Sequence, residues 1–430
     1  MNSSASAEAP ASTSAPGVSA VADGGPLSGF RVLEMGSTVA GPFCGRLLAD
    51  FGAEVIKVEP AEGDPVRTMG KRFHGKSLYA TSIFRNKALI SVDLRTAEGQ
   101  GLITDLARRC DVVVENFRPG GLEKWGLGYE QLRAVNPRIV MVRISGFGQD
   151  GPYSQRAGYG VIGEAVSGLR HLTGDPDRQP SRIAVSMTDY ITGLYGAFGA
   201  ALALLARERT GRGQYIDAAL YECAFSFMEP WIAAYEKLGH VANRAGSRLP
   251  ESTPNNLYPT ADQQFIHITA MGESVFRRLT ATMGQAALAE DPRFATARAR
   301  SEHHEDIDDL IARWSATLPL ETLERQLAAA GVPATRVFTI ADIFGDPHYR
   351  ERASIVHAPD DELGSVSMAA VVPRLSETPG GVRHSGHRVG QDTRRVLHEL
   401  LGMSDADVDA LAARGIVRCD TGASPTASPA

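Results

Sequence analysis

The chain has 430 residues, 43% of them hydrophobic and 22% charged, with a formal net charge of −6. That length buries a large core and suits more than one domain, and the mild acidity argues against nucleic acid, whose phosphates call for a basic footprint. Cys44, Cys110, Cys223 and Cys419 lie far apart without a CxxC pair, a usage that fits a reducing, cytoplasmic setting.

Residues 1–27 are rich in Ala, Ser, Pro and Gly, with no Lys or Arg before Arg31, and 419–430 have a similar make-up. Such segments bury too little apolar surface to fold and lack the basic start of a signal peptide, so both ends read as disordered tails. FRVLEM (30–35) then reads as a strand, GSTVAGP as a turn-rich loop, PFCGRLLADFG as a helix and AEVIKVE (53–59) as a second strand. KALISVDL (87–94), DVVVENF and RIVMVRISGFG follow as strands, with EGQGLITDLARRC and YEQLRAVN as helices between them. This alternation predicts a doubly wound, Rossmann-like α/β domain whose loops at the carboxyl edge of the sheet carry the ligand.

From about Cys223 the pattern changes. YPTADQQFIHITA reads as a hairpin with Asp262 in its turn. Val275, Phe276, Leu279 and Met283 share one helix face, and Ile307, Leu310, Ile311 and Trp314 share another. VPATRVFT (332–339) is extended. The expected organisation is a large domain over 28–222, a smaller α+β domain over 223–335, and a return to the large domain over 336–418.

Two motif matches fail on context. GKRFHGKS (70–77) fits the phosphate-loop pattern G-x4-G-K-[ST], but EGDPVRTM before it cannot be the buried strand that such a loop needs. The first loop has Gly36 and Gly41 but no G-x-G-x-x-G, although Glu59 ends the second strand where a ribose-binding acid would stand; a solvated strand end explains Glu59 as well. There is no G-x-S-x-G, and His303–His304 and His384–His387 lack the further ligands of a metal site, so no metal is expected.

SMTDYITGLYGAFGAALALL (186–205) carries one charge, Asp189, at the mouth of an apolar run. The longest run without polar side chains, 195–206, is too short to span a bilayer, so no membrane role is expected. Asp189 reads as an N-cap of a helix starting at Tyr190. A carboxylate at a helix N-terminus stays ionised, and it is also a competent nucleophile toward an activated acyl group.

Several separate stretches carry a resemblance: VLEMGSTVAGPFCGRLLADFGAEVIKVEP, NKALISVDLRTAEG, CDVVVENFRPGGLEKWGLGYE, GFGQDGPYSQRAGYG and MTDYITGLYGAFGAALALLARERTGRGQYIDAALYE. Together they make the chain resemble the class III coenzyme A transferases, the group of formyl-CoA transferase, carnitine-CoA transferase and α-methylacyl-CoA racemase. The resemblance implies Asp189 as a covalent nucleophile passing through aspartyl anhydride and aspartyl-CoA thioester intermediates. It implies coenzyme A contacts at Val39 and Ala40, at Val92 and Arg95, at Asn116, Phe117 and Arg118, at Lys124, and at Ser145, Gly146, Phe147 and Gly148. Coenzyme A would be a substrate, with no permanently bound cofactor, and two chains would form an interlocked, ring-like homodimer.

Racemase relatives carry a histidine where this chain has Tyr159, a weak proton exchanger near neutral pH. Formyl-CoA:oxalate enzymes carry a glutamine where Val39 stands, and a polyglycine loop that is missing around NNLYPTADQQ. The likeness is greater to enzymes that move CoA from succinyl-CoA to C4–C5 dicarboxylates. Tyr159, Arg182, Arg244 and Arg248 are the candidate acceptor contacts. Racemisation, oxalate transfer, CoA binding without turnover and dinucleotide-dependent oxidoreduction remain as alternatives.

Overall fold

The computed structural model describes residues 24–420. Of the expected tails, 24–27 and 419–420 fall within it and the remainder lies outside the described residues; Leu27 N donates to Phe51 O (3.0 Å), and Asp420 pairs with Arg388 (2.6 Å). The strands in chain order are β1 Arg31–Glu34, β2 Glu54–Glu59, β3 Arg72–Phe73, β4 Lys76–Ser77, β5 Lys87–Val92, β6 Val112–Glu115, β7 Val140–Ser145, β8 Tyr215–Ala219, β9 Asn255–Pro259, β10 Phe265–Thr269, β11 Ala334–Arg336, β12 Ile355–Asp360, β13 Gly364–Ala369 and β14 Val417–Arg418.

Seven of them make one sheet in the order β14-β5-β2-β1-β6-β7-β8, parallel throughout except for β14, which runs antiparallel to β5. The six parallel strands thus take the doubly wound order 3-2-1-4-5-6, whose direction of winding reverses between β1 and β6. Loops leaving the carboxyl ends of those two strands turn to opposite faces and leave a crevice between them. One face of the sheet packs Leu33, Ile56, Ile90 and Val113 against helices Ala97–Ala107 and Thr393–Leu401. The other packs Val55, Val112, Val140 and Val142 against helices Ala40–Asp50 and Met187–Thr210.

Helix Met187–Thr210 is long and apolar enough, by length and composition, to cross a membrane, longer than the apolar run in the sequence suggested. In the fold its small residues form a packing face. A Cβ at Gly193 would come within 2.7 Å of Ala40 O, and one at Gly196 within 3.2 Å of Cys44 Sγ, so glycine at both positions lets the helix lie directly on Ala40–Asp50. This close approach brings the start of the helix over the loop after β1. Its opposite side leaves Leu194, Phe198, Leu202 and Leu205 exposed.

The segment that imitates a phosphate loop is the β3–β4 hairpin, with His74 and Gly75 left-handed at its tip. Further along, β9, β10 and β11 form a three-stranded antiparallel sheet. Asp262 lies in the β9–β10 turn, as expected. Phe276, Leu279, Ile307 and Ile311 are buried against the sheet, with Val275, Leu310 and Trp314 half-buried at the edge. β14 then brings the chain back to the large sheet.

Candidate active site

The site is built from the loop after β1 outward. Thr38 there is left-handed (φ 68°), a conformation disfavoured for a β-branched residue unless its surroundings impose it. They do so at several points. Asp64 Oδ1 accepts from Thr38 N (3.0 Å), Asn116 Oδ1 accepts from Ser37 N (2.7 Å), and Asn116 Nδ2 donates to Ser37 O (2.9 Å). Lys57 Nζ donates to Gly36 O.

Lys57 is held between Asp64 (3.0 Å) and Glu34 (3.6 Å), and Lys87 completes the group by pairing with Glu34 (2.6 Å) and donating to Pro42 O (2.6 Å). All four charged residues are buried. Buried charges survive only when compensated, and here each cation has an acid and a backbone carbonyl. Burial pulls the Lys57 ammonium down, but the Asp64 and Glu34 charges outweigh it and hold its pKa above the usual lysine value. Burial likewise pushes Asp64 up, yet Lys57 and the amides of Val66 and Thr38 keep it below the usual carboxylate value. Glu59 is neither solvated nor open to a ribose: it is buried, accepts from Asp64 N (2.9 Å) and pairs with Arg67 (2.6 Å).

Asp189 is not the helix N-cap. The helix begins at Met187 with Ser186 at the cap position, and Ser186 makes no side-chain capping bond. Asp189 is therefore in the first turn, among amides that have no partner within the helix. A Cβ at Gly160 would overlap Asp189 Oδ2, so the absent side chain of Gly160 makes room for the carboxylate. Burial pushes the Asp189 pKa up to about 6, opposed by its own backbone amide and by the charge of Arg182. Alongside, Tyr190 Oη donates to Tyr79 Oη (3.0 Å), and the Tyr190 ring meets the edge of Phe43 at 4.7 Å between centroids.

A cavity of about 240 Å³ opens at the crevice and has Asp189 in its wall. Of the residues expected around the coenzyme, Val39, Ala40, Asn116, Phe117, Arg118, Ser145 and Gly146 line it, and so does Tyr159, which is 71% exposed. A neighbouring cavity of about 300 Å³ shares Ser37 and Phe117 with it and reaches Val92 and Arg95. The two form one cleft along the carboxyl edge of the sheet. The side chains of Val39 and Val92 point into the core, so these residues offer the cleft their backbone.

The remaining expected residues lie elsewhere. Lys124, on the 3-10 turn Glu123–Trp125, lines neither cavity; Phe147 is buried, and Gly148 donates its amide to Ser145 Oγ (2.9 Å). Arg244 donates to the carbonyls of Asp175 (3.0 Å), His171 (3.3 Å) and Pro176 (3.4 Å), which makes it a brace for that loop. Arg248 stands near Tyr258 and lines neither part of the cleft, whereas Arg182 acts on Asp189 through its charge.

A larger cavity of about 530 Å³ at the amino edge of the sheet contains none of the expected residues. The acids lining it are already paired, Asp50 with Arg85 (2.7 Å) and Glu54 with Arg31 (2.7 Å), so it offers no free nucleophile. Sequence reasoning missed Lys57, Asp64 and Gly160. Only the Gly-Tyr-Gly run around Gly160 hinted at a close approach.

A doubly wound sheet with a cleft at its switch point, and a carboxylate of raised pKa in the wall of that cleft, is the arrangement of an α/β protein with a ligand site at the carboxyl edge of its sheet. The sequence profile of CoA-transferase family III matches residues 27–393, and the chain belongs to that family and is a CoA-transferase. It is 48% identical over 394 residues to succinyl-CoA--D-citramalate CoA-transferase of Chloroflexus aurantiacus, covering 91% of this chain and 98% of the relative. It is 40% identical over 398 residues to the beta subunit of succinyl-CoA--L-malate CoA-transferase of the same organism, at 91% and 98% coverage. Among solved structures, a CAIB/BAIF family protein from Brucella suis superposes with a TM-score of 0.79 at 35% identity, covering 88% of this chain and all of that one.

Proposed function

We propose that the protein transfers coenzyme A from succinyl-CoA to a C4–C5 dicarboxylate such as citramalate or malate, with Asp189 as the covalent nucleophile. The observation that carries this reading is the Asp189 carboxylate itself: half-buried, without a cationic hydrogen-bond partner, and in the wall of the cleft. The names of the two relatives supply the donor and the class of acceptor.

An Asp189 oxygen attacks the thioester carbonyl of the donor. The C–S bond breaks and CoA leaves as thiolate, giving an anhydride. The thiolate then attacks the Asp189 carbonyl, and the donor acid departs with one of the aspartate's oxygens, leaving an aspartyl-CoA thioester. The acceptor carboxylate displaces CoA to form a second anhydride, and CoA attacks the acceptor carbonyl, which frees Asp189 with an oxygen from the acceptor. A pKa of about 6 leaves the carboxylate ionised at neutral pH and more nucleophilic than an ordinary aspartate.

Val39, Ala40, Asn116, Phe117, Arg118, Ser145 and Gly146 would surround the reactive arm of the coenzyme. Val92 and Arg95 would meet its nucleotide end. Arg95 is exposed and paired with Asp93 (2.8 Å), so phosphate would compete for it. The exposed stripe Leu194, Phe198, Leu202 and Leu205 supports a second copy covering this face in an intertwined homodimer. Light scattering that finds a monomer, or activity only with a related second subunit, would contradict the homodimer.

The nucleophile is tested by incubating the protein with succinyl-CoA and hydroxylamine and reading the intact mass. A hydroxamate at Asp189, missing from Asp189→Ala, is the expected outcome. CoA binding with no adduct from any acyl-CoA would reduce Asp189 to a structural residue.

A further inference from the structure

A dicarboxylate brings a second carboxylate into the cleft, and a charge taken out of water needs a partner there. Of the three cations singled out from sequence, Arg244 is committed to backbone carbonyls, Arg248 is outside the cleft, and Arg182 acts on Asp189 through its charge but does not line the cavity. The cavity that holds Asp189 has two cations in its wall, Arg118 and Arg156. Among the described residues, neither guanidinium has a carboxylate partner.

Their positions differ. Arg118 follows Asn116 and Phe117 on the β6 loop, and Phe117 is where the cavity joins the part of the cleft that reaches Arg95. Arg156 is on the segment that carries Tyr159 and Gly160, the segment pressed against Asp189. That segment is fixed in place twice. A Cβ at Gly158 would come within 2.6 Å of Gly146 Cα at the end of β7, and Gly160 abuts the Asp189 carboxylate.

The guanidinium of Arg156 lies 3.6 Å from the centre of the Tyr153 ring, and Tyr153 in turn meets the edge of Phe147 at 5.8 Å. Stacking restrains the exposed guanidinium and leaves its N–H groups free to receive a carboxylate through two parallel bonds. We propose that Arg156 is a specificity-determining residue that receives the distal carboxylate of both the succinyl donor and the dicarboxylate acceptor. The proposal rests on the reading of Asp189 as nucleophile. Both substrates place their reacting carboxyl at Asp189 in turn, so one cation in the same cavity wall reads the far end of each. Selectivity for donor and for acceptor must therefore rise and fall together.

The test compares wild type, Arg156→Gln and Arg156→Lys on matched pairs: succinyl-CoA against butyryl-CoA as donor, and glutarate against valerate as acceptor. The expected result is a fall in kcat/KM on the order of ten- to a hundredfold for succinyl-CoA and glutarate in Arg156→Gln, with butyryl-CoA and valerate little changed. Arg156→Lys should recover part of the loss. If the wild type turns over no monocarboxylate, competitive inhibition by glutarate and by valerate gives the same ratio.

Equal losses on all substrates, unchanged selectivity, or a collapse that appears in Arg182→Gln instead would each overturn the proposal. Hydroxylamine trapping of the same variants separates the two readings. An adduct at Asp189 with unaltered selectivity removes Arg156 alone, whereas selectivity that changes without any adduct removes the nucleophile.

Discussion

The loop after β1 and the three-stranded sheet are held in place by different means. Under the loop the protein buries Glu34, Lys57, Asp64 and Lys87 together. Around β9–β11 it buries Ile266, Ile268, Phe276, Leu279, Ile307, Ile311, Leu323 and Leu327. The buried cation there, Arg300, donates to the carbonyls of Thr253 (3.1 Å) and Phe294 (2.8 Å) and lies over the Phe276 ring. Hydrocarbon holds a sheet together more cheaply than paired charges do. Charges can do what hydrocarbon cannot, which is to direct hydrogen bonds at chosen backbone atoms such as Gly36 O, Thr38 N and Pro42 O. Damage under the loop should therefore appear in substrate handling as well as in stability, and damage around the small sheet in stability alone.

The sharpest expected effect is at Asp189. Asp189→Ala should lower transfer by roughly three orders of magnitude or more, while calorimetry finds CoA binding nearly intact. Gly160→Ala is next. Its methyl group displaces the carboxylate, and kcat should fall roughly a hundredfold with the melting temperature close to wild type.

Asp64→Asn and Leu279→Ala break or sharpen the comparison directly. Asp64→Asn should raise KM for the acyl-CoA roughly tenfold, because Thr38 loses its acceptor and Lys57 its nearest counter-charge, with a stability loss of about 3 kcal/mol. Leu279→Ala should cost about 2–5 kcal/mol in urea and leave KM unchanged. A KM effect in the second variant and none in the first would end the contrast.

The smallest effect is thermodynamic. The folded pKa of Asp189, about 6, lies above the ordinary aspartate value of 3.8, so the ionised form carries a cost that is absent below the lower value and complete above the higher one. The rate, which needs the ionised form, should fall with unit slope as pH drops through about 6. Asp189→Asn removes the cost, and should gain on the order of 2 kcal/mol above about pH 7 and almost nothing below about pH 4.

Much of the large sheet was legible in the sequence, because parallel strands buried on both faces read as apolar runs between amphipathic helices. Asp189 was legible as the one charge in the apolar stretch 186–205, and the first-loop and β6-loop residues through the family resemblance. Its exact place in the helix was not. Ser186, Thr188 and Asp189 are all good caps by residue type, and the choice depends on Gly160, far away in sequence, which admits the carboxylate. The group under the loop was hidden for a similar reason. Glu34 and Lys87 are 53 positions apart and meet only because β1, β2 and β5 lie side by side. Arg244 looked like a free cation until the 171–176 loop was seen to use all of it.

The most direct test follows one oxygen atom. In the covalent route the acceptor carboxylate leaves an oxygen on Asp189 at each turnover. Turnover with an acceptor labelled with heavy oxygen in its carboxylates, followed by digestion and peptide mass measurement, should find the label at Asp189. Complete turnover with no label in that peptide would contradict covalent catalysis by Asp189.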